Sequence, residues 1–303
     1  MRTNNQRPLV FGEVLFDCFE NGNSVMGGAP FNVAWNLHAF GENPLFISRI
    51  GQDALGQKIM DVLEQHGFDT AGIQVDEEYP TGAVGVHLNN HEASYDIRPD
   101  QAYDFIDSNA LPELADVGLI YHGTLGIRNS VSNKALVDIK QQTNAPVFVD
   151  INLRKPWDEG VDIDGLIQQA AWCKLNEEEF KELSPCLLGS PVDLKDRFKN
   201  KVDMFSNNSL GTLFVTKGAS GAIALRRNEP ELQVTPVRSV DVTDTVGAGD
   251  AFCSVLILGL LRNWDLKTIL ERAQSFASAV VGIRGATTTD GDFYDQFKKS
   301  WEL

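Results

Sequence analysis

Short runs rich in β-branched and aromatic residues alternate with stretches of helical periodicity along most of this chain, and that alternation constrains its fold more than any other feature. Residues 9–16 read as a first strand. Residues 30–40 read as a helix with Phe31, Ala34, Leu37 and Ala39 or Phe40 on its apolar face and Gly41 at its end. A strand over 44–50 and a helix over 54–66, closed by Gly67, follow. Further on, 118–125 reads as a strand, 131–142 as a helix, 146–150 as a strand and 163–171 as a helix. Residues 177–183 and 192–203 look helical, separated by a loop carrying Pro185, Gly189 and Pro191. Strands over 212–216 and 222–226 lead to a glycine-rich turn and three C-terminal helices. The pattern predicts an α/β fold with a largely parallel sheet.

One stretch breaks the alternation. Residues 81–88 and 92–97 are β-like runs joined by Asn89-Asn90, a good hairpin turn, and together with 17–26 they predict a small sheet standing apart from the main one. His87 and His91 have the i, i+4 spacing of a zinc pair on a helix, but the turn between them rules out that reading. No repeat, low-complexity tract or linker divides the 303 residues, so we expect a single domain. A formal net charge of −16 argues against nucleic acid or an anionic membrane as partner. No window approaches a membrane span, the first residues lack a secretory pattern, and Cys18, Cys173, Cys186 and Cys253 show no close pairing, so the expectation is a cytoplasmic protein.

The chemistry concentrates in Asp244-Thr245-Val246-Gly247-Ala248-Gly249-Asp250-Ala251-Phe252. A glycine-rich turn here opens into a strongly apolar helix with Asp250 in its first turn. Unpaired N–H groups and the helix dipole favour an anion at such a terminus, and the adjacent carboxylate can serve as a base. Dipole complementation alone is the competing account of Asp250. Gly27-Gly28-Ala29-Pro30-Phe31-Asn32 is a second turn entering a helix, and Asp150-Ile151-Asn152-Leu153-Arg154 leaves the end of a strand, where catalytic groups of open α/β sheets gather. Asn176-Glu177-Glu178-Glu179 also fits a solvated acidic helix start, and Thr216-Lys217-Gly218-Ala219-Ser220-Gly221 also fits an ordinary hairpin.

These segments, in this order, resemble the signatures of the PfkB carbohydrate kinases, the ribokinase-like sugar and nucleoside kinases: G-G-A-P-x-N-V-A near the N-terminus and D-T-x-G-A-G-D near the C-terminus. The resemblance implies a doubly wound, mostly parallel sheet with a small β-sheet lid from about 15–26 and 81–98. It implies an ATP-dependent enzyme in which Asp250 takes the proton of a sugar primary hydroxyl and the N–H groups around Gly247, Ala248 and Gly249, with Arg154, stabilise the transferring phosphoryl. Glu13, Asp17, Gly28 and Asn32 would hold the sugar, with Arg98 in the lid. Asn176, Thr216, Lys217, Gly218, Gly221 and Thr245 would hold the nucleotide, and Glu179 a magnesium ion through water. Asp244 and 281–289 lie where relatives bind potassium, and lids of the family often pair into homodimers.

The Gly27-Gly28-Ala29-Pro30 motif resembles fructokinases, which makes fructose the expected sugar. A 2-keto-3-deoxygluconate kinase is the nearest rival, because Arg98 and Arg154 could pair with a sugar-acid carboxylate; nucleosides and a non-catalytic sugar-binding relative complete the alternatives. The chain lacks G-x-x-x-x-G-K-[ST], H-R-D with D-F-G, G-x-G-x-x-G and G-x-S-x-G, which excludes P-loop and protein kinases and weakens dehydrogenase and hydrolase readings.

Overall fold

A computed structural model of the chain describes residues 6–89, 92–188, 209–236 and 241–303. The main sheet has nine strands: β1 (Arg7–Phe11), β4 (Leu45–Gly51), β5 (Ile73–Asp76), β8 (Val117–His122), β9 (Val147–Asp150), β10 (Trp172–Asn176), β11 (Thr212–Thr216), β12 (Ala222–Leu225) and β13 (Leu232–Val234). Their spatial order is β13-β12-β11-β10-β9-β8-β1-β4-β5. Every pairing from β11 to β5 is parallel, and β12 and β13 close one edge as an antiparallel pair. From β1 the chain winds first to β4 and β5, then returns past β1 to β8 and winds the other way. The reversal opens a crevice at the carboxyl ends of β1 and β8, where open α/β sheets bind ligands.

Buried side chains alternate between the two faces of the sheet. Val10, Phe46 and Phe148 join the core beneath α1 (Ala29–Ala39), α2 (Ala54–Gln65), α6 (Ala248–Leu261), α7 (Leu266–Val280) and α8 (Gly291–Trp301). Leu9, Phe11, Ile47 and Val149 join the opposite core beneath α3 (Ser130–Thr143), α4 (Ile163–Gln169) and α5 (Glu177–Leu188). Helices on both faces explain why these strands read as continuous apolar runs. The helix after the glycine turn, α6, is apolar on nearly every side because it is packed between α1, α7 and the sheet, so its N-terminus is fixed firmly in place.

A separate sheet of four strands, β2 (Leu15–Phe19), β3 (Ser24–Gly27), β6 (Gly82–Asn89) and β7 (Glu92–Ile97), has the order β3-β2-β6-β7. It contains the expected hairpin and the expected N-terminal segment. Asn90 and His91 lie outside the described residues, as does the helix expected over 192–203.

Several boundaries differ from the sequence reading. The run 9–16 is two strands in two sheets, not one. Gly12 has φ 143°, and a Cβ there would lie 2.6 Å from the Pro30 ring, so the chain can bend away from the main sheet at that glycine. The strand expected over 118–125 ends at His122, and a short 3₁₀ turn follows at Leu125–Ile127. Strands β5, β10 and β13 were not anticipated. Among the described residues no helix is long and apolar enough to cross a membrane.

Candidate active site

Loops leaving β1, β8, β9, β10 and β11 converge with the N-termini of α1 and α6 around two adjoining cavities. The first, about 430 Å³, is lined by Glu13, Asp17, Asn32, Arg154, Lys174 and Asp250, among others. The second, about 670 Å³ and mainly apolar, is lined by Gly218, Gly221, Ala248, Phe252 and Ala277, among others. Thr216, Thr245 and Gly249 line both, so the two spaces meet at the glycine turn.

Gly247 enters α6 in the left-handed conformation at φ 78°, and a Cβ there would come within 2.2 Å of the Ala286 Cβ, so only glycine fits. No side chain caps this helix, which leaves its first N–H groups available to an anion. Asp250, one turn in, is half-buried, and its Oδ2 accepts a hydrogen bond from Asn32 Nδ2 at 2.7 Å. Burial pushes its pKa up to about 6, against the opposing pull of the Asn32 hydrogen bond. A carboxylate tuned to that range is ionised at neutral pH and still basic enough to take a proton.

Two buried polar atoms in the first cavity have no partner among the described residues: Glu13 Oε2 and Asn32 Oδ1. Buried polar atoms are rarely left unpaired in native proteins, so two orphans lining one cavity leave hydrogen-bonding capacity there for a ligand. Burial raises the Glu13 pKa to about 8, which makes it an O–H donor at neutral pH. Asp17, also in this cavity, is raised to about 6 by burial. Gly28 lets the α1 turn press against the segment that follows β1: at φ 106°, a Cβ would sit 2.7 Å from the Glu13 carbonyl oxygen.

In the same first cavity, Glu179 is buried and accepts backbone hydrogen bonds from Leu153 at 3.1 Å and Asn176 at 2.8 Å, while Asn176 Oδ1 accepts from the Glu179 N–H at 2.8 Å. Burial raises the Glu179 pKa. A carboxylate oxygen held so, with no ion pair among the described residues, suits a hydrated Mg²⁺ ion, which uses few protein ligands and keeps its waters. Among the described residues no group of three or more His, Cys, Asp or Glu forms a metal cage.

Two residues expected at the site lie elsewhere. Arg98, the residue after β7, is exposed and lines neither cavity, and its carbonyl accepts from Arg128 Nη2 at 2.6 Å. Lys217 also lines neither cavity; its N–H closes the 3₁₀ turn onto the Gly221 carbonyl at 2.7 Å. Arg154 does reach the first cavity, but as an exposed residue on its rim. The sequence reading missed Lys174, buried in β10 and paired with Asp150 at 2.8 Å. The one signal available was its position two residues before Asn176.

Residues 13–291 match the sequence model of the pfkB family of carbohydrate kinases. This chain belongs to the pfkB carbohydrate kinase family. It is a sugar kinase, a phosphotransferase, with the ribokinase-like fold. A fructokinase of Klebsiella pneumoniae is 27% identical over 95% of each chain. An uncharacterized sugar kinase of Pyrococcus horikoshii is 28% identical over 87% of this chain and 83% of that one; its crystal structure superposes with a TM-score of 0.82. The structure of a Xylella fastidiosa fructokinase with bound ATP superposes with a TM-score of 0.83 over 99% of this chain and all of that one, at 21% identity.

Proposed function

We propose that this kinase transfers the γ-phosphoryl group of ATP to a primary hydroxyl of a small neutral sugar, with fructose as the first candidate. The carrying observation is the placement of the Asn32–Asp250 pair in the first cavity, with Asp250 next in sequence to the Gly249 that both cavities share and with the buried Glu13 Oε2 and Asn32 Oδ1 left unpaired among the described residues. The sugar occupies the first cavity and the nucleotide the second, its phosphates passing the shared Gly249.

Asp250, oriented by Asn32, takes the proton of the acceptor hydroxyl as that oxygen attacks the γ-phosphorus. The bond to the β-phosphate oxygen breaks and ADP leaves. N–H groups of the 247–249 turn stabilise the charge on the transferring group. Glu13, Asp17 and the Asn32 carbonyl oxygen hold the other hydroxyls. Glu179 and Asn176 fit a hydrated magnesium ion, which when bound neutralises charge on the β- and γ-phosphates.

A neutral sugar is favoured over a sugar acid by the charges facing it. The carboxylates Asp17 and Asp250 line the sugar cavity; of its two cations, Lys174 is already paired with Asp150 and Arg154 stands exposed on the rim, and Arg98 lies outside. The small sheet supplies Leu15, Asp17, Val84, Tyr95 and Ile97 to this cavity, which supports its role as a lid. Val25 on its edge strand is exposed, in keeping with pairing of two lids in a homodimer. Asp244 accepts N–H bonds from Val246 and Gly285, tying the glycine turn to the loop where a potassium ion would act.

A coupled ADP-release assay with magnesium ATP against fructose, ribose, 2-keto-3-deoxygluconate, tagatose 6-phosphate, adenosine and inosine tests the reading. The expected result is the highest kcat/KM for fructose. Preference for 2-keto-3-deoxygluconate would overturn the neutral-sugar assignment, and binding of sugar without turnover of any acceptor would overturn the catalytic one.

A further inference from the structure

The cation most firmly placed beside the glycine turn is Lys174, not Arg154. Its side chain is buried, and its Nζ donates to Asp150 Oδ1 at 2.8 Å. The other oxygen of Asp150 accepts from the Tyr121 hydroxyl and from the Cys253 thiol, each at 3.2 Å. The carboxylate that holds the lysine is therefore itself held from β8 and from α6, and the ammonium has one place to be.

An ammonium group carries three N–H donors, and among the described residues Asp150 is the acceptor recorded for this one. The remaining donors belong to a side chain that lines the first cavity beside Asn176, Glu179, Gly249 and Asp250. A Cβ added to Gly249 would stand 3.3 Å from Nζ, so only glycine backbone intervenes between the ammonium and the turn that faces the anion. Arg154, by contrast, is exposed and makes a 3.4 Å bond to the neighbouring Leu153 carbonyl. An exposed charge is screened and must be ordered when substrate binds, whereas a buried, pre-oriented donor acts at once and in a lower dielectric.

We infer that Lys174 binds the transferring phosphoryl group directly and is a further catalytic residue of this kinase, with Asp150 as the residue that positions it. This inference rests on the reading of the two cavities as sugar and nucleotide sites. Asp150 offsets the lysine's charge at long range, so what Lys174 contributes is short-range and directional, felt by a γ-phosphoryl group and little by ADP.

The competing account is that Lys174 only neutralises Asp150. Lys174→Met alone strands a buried carboxylate and risks the fold, so the deciding variant is Lys174→Met with Asp150→Asn, which removes both charges and keeps a polar partner for Tyr121. We expect it to fold, to bind ADP within about threefold of the parent, to bind a non-hydrolysable ATP analogue about tenfold more weakly, as loss of a charged hydrogen bond implies, and to lose about 10²–10³ in kcat. Titration calorimetry of ADP and the analogue, both as magnesium salts, gives their affinity ratio without any sugar. An unchanged ratio in a folded double variant overturns the role assigned to Lys174. Wrong choice of sugar shows itself differently: the parent fails to turn over fructose while its own affinity ratio stays intact.

Discussion

Glu13 stores a pH-dependent stability cost that can be read directly. Its carboxyl is buried at the end of β1, Oε2 has no partner, and burial raises its pKa from 4.5 to about 8, with Asp250 adding to the rise and Arg128 opposing it. A carboxyl whose folded pKa lies above its unfolded value is held protonated in the folded state. Its contribution is fully favourable below pH 4.5, falls as pH rises, and levels off above about pH 8. At about 1.4 kcal/mol per pH unit, the rise is worth about 5 kcal/mol between those limits. Glu13→Gln cannot ionise and removes this dependence while keeping shape and a donor. Urea unfolding of both proteins from pH 6 to pH 9 isolates the term, since Asp17 and Asp250 titrate in both. The variant should gain about 2–3 kcal/mol relative to the parent between pH 6 and pH 8, then run parallel to it. Stability curves that stay parallel from pH 6 to pH 9 would refute the assignment of a protonated, buried Glu13.

Turnover should have its own pH signature. With Asp250 raised to about 6, kcat/KM should rise with pH through that value as the base ionises. Asn32→Ala removes the hydrogen bond that opposes the rise, so the acid limb should move to higher pH in rate profiles; an unmoved limb would count against Asp250 as the titrating base. Gly247→Val sets a β-branched side chain at positive φ against Ala286. It should cost about 1–3 kcal/mol in thermal or denaturant unfolding and depress kcat more than sugar affinity.

The sequence was most legible where one physical rule acted alone. Fully buried parallel strands such as β1, β4, β8 and β9 are apolar runs bounded by turns, and the helices after them carry clear periodicity. The glycine turn before α6 was legible for the same reason: Gly247 and Gly249 bracket the start of a run that is apolar on nearly every side. The 9–16 run was misread because a bend at one glycine carries no change in hydrophobicity, so two strands look like one. Strand β10 was missed because Lys174 interrupts the apolar pattern, and the partner that allows its burial, Asp150, lies on another strand. Long-range compensation of that kind leaves no local mark. Arg98 lies outside the two cavities because a motif fixes the neighbourhood of a residue but not the direction its side chain takes, and β7 ends one residue before it.

Asp250→Asn tests the central claim most directly. Asparagine preserves the size of the side chain and can still bond to Asn32, but it cannot take the proton of the acceptor hydroxyl. Single-turnover transfer from labelled ATP to fructose, measured beside the binding of each substrate, should show affinities within a few-fold of the parent and a rate lower by about 10²–10⁴. A variant that binds both substrates and transfers phosphate at near the parent rate would contradict the account of this site.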